Sequence, residues 1–88
     1  MKILIDKSFE KDTSKIKDKK VLYALASRIE LIQSAQKLAD LTQCKKLKGS
    51  SNAYRMRLGA YRIGFLYHRQ TVELIRFLNR RDIYNYFP

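Results

Sequence analysis

Strict alternation on either side of a two-residue break at Gly59-Ala60 constrains this chain more firmly than any other feature. Tyr54, Met56 and Leu58 fall on one face, with Arg55 and Arg57 on the other; beyond the break, Tyr61, Ile63, Phe65 and Tyr67 alternate with Arg62, Gly64, Leu66 and His68. A period of two belongs to strands, and a two-residue connection containing glycine joins antiparallel neighbours. A second turn around His68 to Gln70 leads into Thr71–Leu78, which is apolar on both sides apart from Glu73 and Arg76 and so suits a central strand. The expectation is a three-stranded antiparallel meander whose arginines gather on the face away from its aromatic residues.

Upstream the period changes. Lys2–Asp6 is a short Ile-rich run bounded by charge and reads as a first strand. Asp6 or Ser8 can cap a short helix in which Phe9, Thr13 and Ile16 recur at helical spacing. After a break at Asp18–Lys20, the stripe Val21, Leu25, Ile29, Ile32 and Ala35 or Gln36, widened by Leu22, Leu38 and Ala39, predicts helix over Lys20–Leu41. Thr42–Asn52 reads as a loop anchored by Leu47, with Gly49-Ser50-Ser51-Asn52 a turn. The expected class is α+β: an N-terminal strand, a helical hairpin, then the meander, forming one sheet packed on the helices. With 88 residues there is room for one core, so residues 1–88 read as a single domain.

Nineteen Lys and Arg stand against eight acids, a net charge of +11 that calls for a polyanionic partner, nucleic acid first. Residues 1–44 carry a net +3 and residues 45–88 a net +8, and seven of the eight arginines lie beyond residue 54. Lysines of the first half read as a solvated face, whereas arginine binds phosphate with a planar fork. One cysteine, Cys44, excludes an internal disulfide, and with a single histidine, His68, no zinc spacing exists. Neither a metal nor a cofactor is expected. The Ile3-Leu4-Ile5 run is too short for a signal peptide or a span, so a cytoplasmic protein without membrane contact is expected.

The candidate site is Arg55, Arg57, Arg62, Arg80, Arg81 and Tyr84. Exposed strand arginines can merely cover apolar surface or guard an edge. Here, though, Asp82 is the one acid beside five arginines, and such a cluster repels itself unless an anion sits within it. Gly64, on the Arg62 face, leaves space for a nucleotide to lie close or for a packing partner or bulge. Tyr84 can stack, donate a hydrogen bond, or join the core.

At these residues the chain resembles the RelE/ParE superfamily of bacterial toxins. The resemblance runs through Leu47-Lys48-Gly49, through Tyr54-Arg55-Met56-Arg57-Leu58-Gly59-Ala60-Tyr61-Arg62-Ile63-Gly64-Phe65, and through Asn79-Arg80-Arg81-Asp82-Ile83-Tyr84. It implies a RelE-like fold and cleavage of mRNA in the ribosomal A site. It also implies Arg62, Arg80 and Tyr84 as catalytic residues, with Arg55, Arg57, Arg81 and Lys48 holding RNA. Asn79 departs from relatives that carry histidine before the first closing arginine. Partners implied are mRNA on the ribosome and a cognate antitoxin, whose acidic segment would wrap the sheet or displace the tail from Arg80 onward. Two alternatives stand beside this reading: ParE-like inhibition of DNA gyrase without catalysis, and a basic RNA-binding module that cleaves nothing.

Overall fold

The computed structural model describes residues 1–88. In chain order they form β1 (Lys2–Ile5), α1 (Lys7–Ser14), α2 (Lys19–Ser34), a single 3₁₀ turn (Leu38–Asp40), β2 (Cys44–Lys46), β3 (Ala53–Leu58), β4 (Tyr61–His68), β5 (Thr71–Asn79) and α3 (Arg80–Tyr86). The meander β3-β4-β5 pairs antiparallel as its alternation requires, and Gly59 takes the positive φ of 59° that the tight β3–β4 turn needs. Asp6 caps α1 by accepting from the Ser8 amide, and Asp18 caps α2 by accepting from the Lys20 amide. Hydrogen bonds from the Ser8 side chain and amide hold the Asp6 carboxyl below the usual carboxylate range.

The three-stranded sheet expected from the pattern is a five-stranded mixed sheet, ordered β1-β5-β4-β3-β2. β1 joins parallel to β5, with Ile3 opposite Val72 and Ile5 opposite Leu74. β2 forms inside the stretch read as a loop, pairing antiparallel with the open edge of β3. Three residues, Cys44-Lys45-Lys46, are too few to show alternation, so the partner strand rather than local pattern makes β2 a strand. The second helix stops at Ser34 instead of running to Leu41, where the Met1 ammonium donates to the Gln33 and Ala35 carbonyls. Leu38 and Leu41 still reach the core, so the apolar stripe outlasts the helix.

The sheet buries both faces. Under α1 and α2 lie Phe9, Leu25, Ile32, Met56, Leu58, Ile63, Phe65, Val72, Leu74 and Phe77. On the far face, α3 sets Ile83 and Phe87 against Leu47 and Ala53, with Leu66, Ile75 and Leu78 around them. Leu47 thus anchors its loop as expected. The length argues for one core, but the single sheet carries one on each face; β5 serves both because its register slips: Gly64 pairs with Arg76 and Phe65 with Leu74, leaving Ile75 as the extra residue of a bulge. Gly64 holds no room for a nucleotide, since a Cβ there would meet the Phe87 ring at 2.7 Å; the glycine exists for packing.

Beside the bulge β5 outruns β1, and α1 covers the exposed edge. The Ser8 hydroxyl donates to the Ile75 carbonyl at 2.6 Å. Asp12, only 5% exposed, accepts from the Phe77 amide at 2.9 Å and from the Arg76 guanidinium at 2.8 and 3.1 Å. Removing one partner of a buried pair strands the other, so Asp12→Ala should cost about 2–4 kcal/mol, the half-buried Arg76 tempering the loss. Urea denaturation checks this, and a cost below about 1 kcal/mol would mean that the contact is incidental. Gly64→Ala, by overpacking against Phe87, should cost about 1–3 kcal/mol in the same assay.

Candidate active site

Register on the hairpin puts Arg57 directly opposite Arg62. Facing residues of an antiparallel pair hold their Cβ atoms roughly 5 Å apart, and like charges placed so destabilise the sheet. Arg62 is half-buried and folds back onto the turn, its Nη1 donating to the Gly59 carbonyl at 3.0 Å and the Tyr61 carbonyl at 2.8 Å. These bonds orient the guanidinium before any ligand arrives and leave its other donors free. From the opposite face, Arg28 of α2 donates to the Arg57 carbonyl at 2.7 Å, holding the end of β3 in place.

The start of α3 completes the wall. Asn79 is its N-cap, accepting from the amides of Arg81 and Asp82 at 3.0 Å while its own amide donates to Asp82 at 3.0 Å. The Arg80 amide donates to the Ala60 carbonyl at 3.0 Å, tying helix to hairpin turn. Arg57, Arg62, Arg80 and Arg81, with Gly59, Ala60 and Asn79, therefore line one concavity of about 710 Å³. The single ion pair of the molecule is Asp12–Arg76, so no carboxylate neutralises any of these four arginines.

A second, smaller groove adjoins it. Arg55, two residues from Arg57 on the same face of β3, lies 4.3 Å from the centre of the Tyr84 ring, a cation–π contact. Tyr84 is 64% exposed, so it belongs to neither core. It follows Arg80 by one helical turn, which places both on the same side of α3. Lys45, Lys46, Leu47, Lys48, Phe87 and Pro88 complete this groove. Of the seven side chains expected at the site, Arg57, Arg62, Arg80 and Arg81 share the concavity, while Arg55, Tyr84 and Lys48 share the groove beside it. Lys45 and Lys46 were missed because β2 was; Lys45 pairs with Arg55 in register, and a Lys-Lys pair just before Leu47-Lys48-Gly49 was the available signal.

The remaining chemistry-bearing residues lie outside both recesses. Burial pushes the Cys44 thiol up to about 11, which keeps it protonated. His68 is exposed at the far end of β4, and no three His, Cys, Asp or Glu side chains come together in a metal-holding group.

A five-stranded mixed sheet with two helices on one face and a short closing helix on the other makes this a small α+β protein whose arginines gather, without ion pairs, where the closing helix meets a hairpin turn. No family model matches the chain. Toxin RelE3 of Methanocaldococcus jannaschii is 42% identical over a 93-residue alignment that covers the whole of both chains. A chain in the crystal structure of the RelB–RelE antitoxin–toxin complex from Methanococcus jannaschii matches with a TM-score of 0.81 and 35% identity, over 97% of this chain and 99% of that one. YafQ from E. coli strain BL21(DE3) shares the fold, with a TM-score of 0.64 at 16% identity, over 93% and 96% of the two chains. The chain belongs to the RelE family of toxins.

Asn79, the departure from the commoner histidine, is occupied as a cap. Asn79→Ala should cost about 1 kcal/mol and speed amide hydrogen exchange in α3 ahead of the sheet. Exchange that rises equally throughout the protein would show that the cap does not act locally.

Proposed function

We propose that this chain is the toxin of a toxin–antitoxin pair, that it cleaves mRNA on the ribosome in the cytoplasm, and that a cognate antitoxin silences it. The observation that carries the reading is the carboxylate-free concavity in which Arg57 and Arg62 face each other while α3 adds Arg80 and Arg81. Membership of the RelE family supports it, as does the likeness to a toxin crystallised with its antitoxin.

RNA carries its own nucleophile. The 2′-hydroxyl attacks the adjacent phosphorus, the bond from phosphorus to the 5′ oxygen breaks, one proton leaves the 2′ oxygen and one reaches the 5′ oxygen. A catalyst therefore has to align the attack, stabilise charge on the phosphorane and move two protons. Arg62, pre-oriented by the turn carbonyls, and Arg80, tied to the turn through its amide, stabilise the phosphorane. Arg55, Arg57, Arg81 and Lys48 hold the strand on either side. Guanidinium groups cannot accept a proton, so proton transfer falls to the Tyr84 hydroxyl or to a group lent by the ribosome. An open, solvent-facing site orders its substrate poorly alone, which fits reliance on the ribosome for alignment. The acidic segment of an antitoxin finds its counterpart in the same basic face.

Primer-extension mapping of mRNA ends in a translating extract, with and without the protein, tests the reading; a gyrase supercoiling assay runs alongside. Cleavage in the extract is expected, and blocked supercoiling without cleavage would replace this reading with gyrase inhibition. Arg62→Ala or Arg80→Ala should each lower the cleavage rate by roughly 10²-fold, the scale of one lost transition-state donor, with a much smaller loss of ribosome binding. Tyr84→Phe should slow cleavage without unfolding the protein. Full cleavage by all three variants would place the chemistry elsewhere.

A further inference from the structure

Two tyrosines of α3 stand in solvent, and each lies against an arginine of the sheet: Tyr84 against Arg55 of β3 at 4.3 Å, Tyr86 against Arg76 of β5 at 5.6 Å. The site described above uses the first tyrosine and leaves the second without a role. Ile83 and Phe87 point into the second core. At roughly 100° per residue, Tyr84 and Tyr86 then flank that inward direction by about 80° on either side. β3 and β5 lie on opposite sides of β4, so the two arginines grip the helix from opposite flanks. The Asn79 cap and the bond from the Arg80 amide to the Ala60 carbonyl hold only the first turn of α3. A short helix seated on two buried side chains can still roll about its axis, and that roll decides where the Tyr84 hydroxyl stands.

We propose that Arg76, clamped by Asp12, is a positioning residue for the cleavage site: through the Tyr86 ring it sets the roll of α3 and with it the place of the Tyr84 hydroxyl beside Arg80. The two arginines differ in what holds them. Asp12 takes the Arg76 Nε at 2.8 Å and Nη2 at 3.1 Å, and the same carboxylate is fixed by the Phe77 amide at 2.9 Å. A guanidinium bound at two nitrogens keeps its plane. No carboxylate holds Arg55, so Arg55 and Tyr84 can shift together, and the Arg76–Tyr86 contact alone refers the roll of the helix to a fixed point. Arg76 and Tyr86 line neither the concavity nor the groove beside it, so they act through Tyr84 and not on RNA. The proposal rests on the RNA-cleavage reading above and adds to it a pair of residues which that reading leaves out.

The test compares full-length Tyr86→Ala with Tyr86→Phe, which keeps the ring, and with Tyr23→Ala, which removes an exposed tyrosine of α2. Circular dichroism checks that each folds. Cleavage is followed across ribosome concentration to separate kcat from KM. Tyr86→Ala should lower kcat roughly 10-fold with KM unchanged, the scale of a slightly misplaced group, while Tyr86→Phe stays within about twofold of wild type and Tyr23→Ala is unaffected. In a Tyr84→Phe background, Tyr86→Ala should cost nothing further, because the hydroxyl it misplaces is already gone. NMR of ring-labelled tyrosine runs alongside: the Tyr84 ring signals should move in Tyr86→Ala and stay in place in Tyr23→Ala. Full kcat in Tyr86→Ala, an equal loss in the Tyr84→Phe background, or unmoved Tyr84 signals would overturn the proposal. A raised KM at constant kcat would overturn it too, making Tyr86 an RNA contact. The NMR arm reads the roll of α3 even if wild type cleaves nothing, so failure of the cleavage reading and failure of this one stay distinguishable.

Discussion

A carboxylate buried at the edge of β5 underlies the architecture. β1 pairs with β5 only as far as Leu74, and just beyond it the bulge at Ile75 leaves backbone groups that a buried edge cannot leave unpaired. Asp12 answers this by taking both the Phe77 amide and the Arg76 guanidinium, and the Ser8 hydroxyl meets the Ile75 carbonyl. With the edge closed, the bulge can stand, and with the bulge standing β5 turns Leu74 and Phe77 to one core and Ile75 and Leu78 to the other. The second core is what seats α3. Arg76 itself reaches round to the far face, 5.6 Å from the centre of the Tyr86 ring, so one ion pair joins the helices of both faces.

Seating α3 is also how the site is made. Ile83 and Phe87 anchor the helix, the latter in the space left by Gly64, and that leaves Arg80 and Tyr84 on the side facing β3. Arginines from two strands and a helix then converge at the hairpin turn at a real electrostatic cost, since Arg57 and Arg62 face each other with no acid between them. The turn carbonyls that hold Arg62 and the cap at Asn79 offset part of it with hydrogen bonds. What remains is a repulsion that a bound anion would relieve. Local conflict of this kind concentrates where a protein meets its ligand, because there the strained arrangement is stabilised by the partner rather than by the fold.

Much of this was legible beforehand. The meander, a cap at Asp6 or Ser8, the anchoring of Leu47 and the gathering of arginines on one strand face follow from period, turn chemistry and charge counting, all of them local. The five-stranded sheet was not, because β2 is three residues long and exists only through β3, and the parallel seat of β1 depends on an edge of β5 nearly seventy residues away. Gly64 admitted a ligand, a packing partner or a bulge, and only Phe87 decides among them. Tyr84 read equally well as a core residue, until α3 turned Ile83 inward and left the tyrosine beside Arg55.

By itself, then, the sequence determined the hairpin, its arginine face and the strong positive charge of the second half, since alternation and net charge are properties of neighbouring residues and of composition. Tertiary structure alone decided that Arg80 and Arg81 complete the concavity begun by Arg57 and Arg62 and that Asp12 closes the sheet edge. Each of these joins segments distant in the chain, and their proximity is set by how two cores fill on opposite faces of one sheet, which no local pattern encodes.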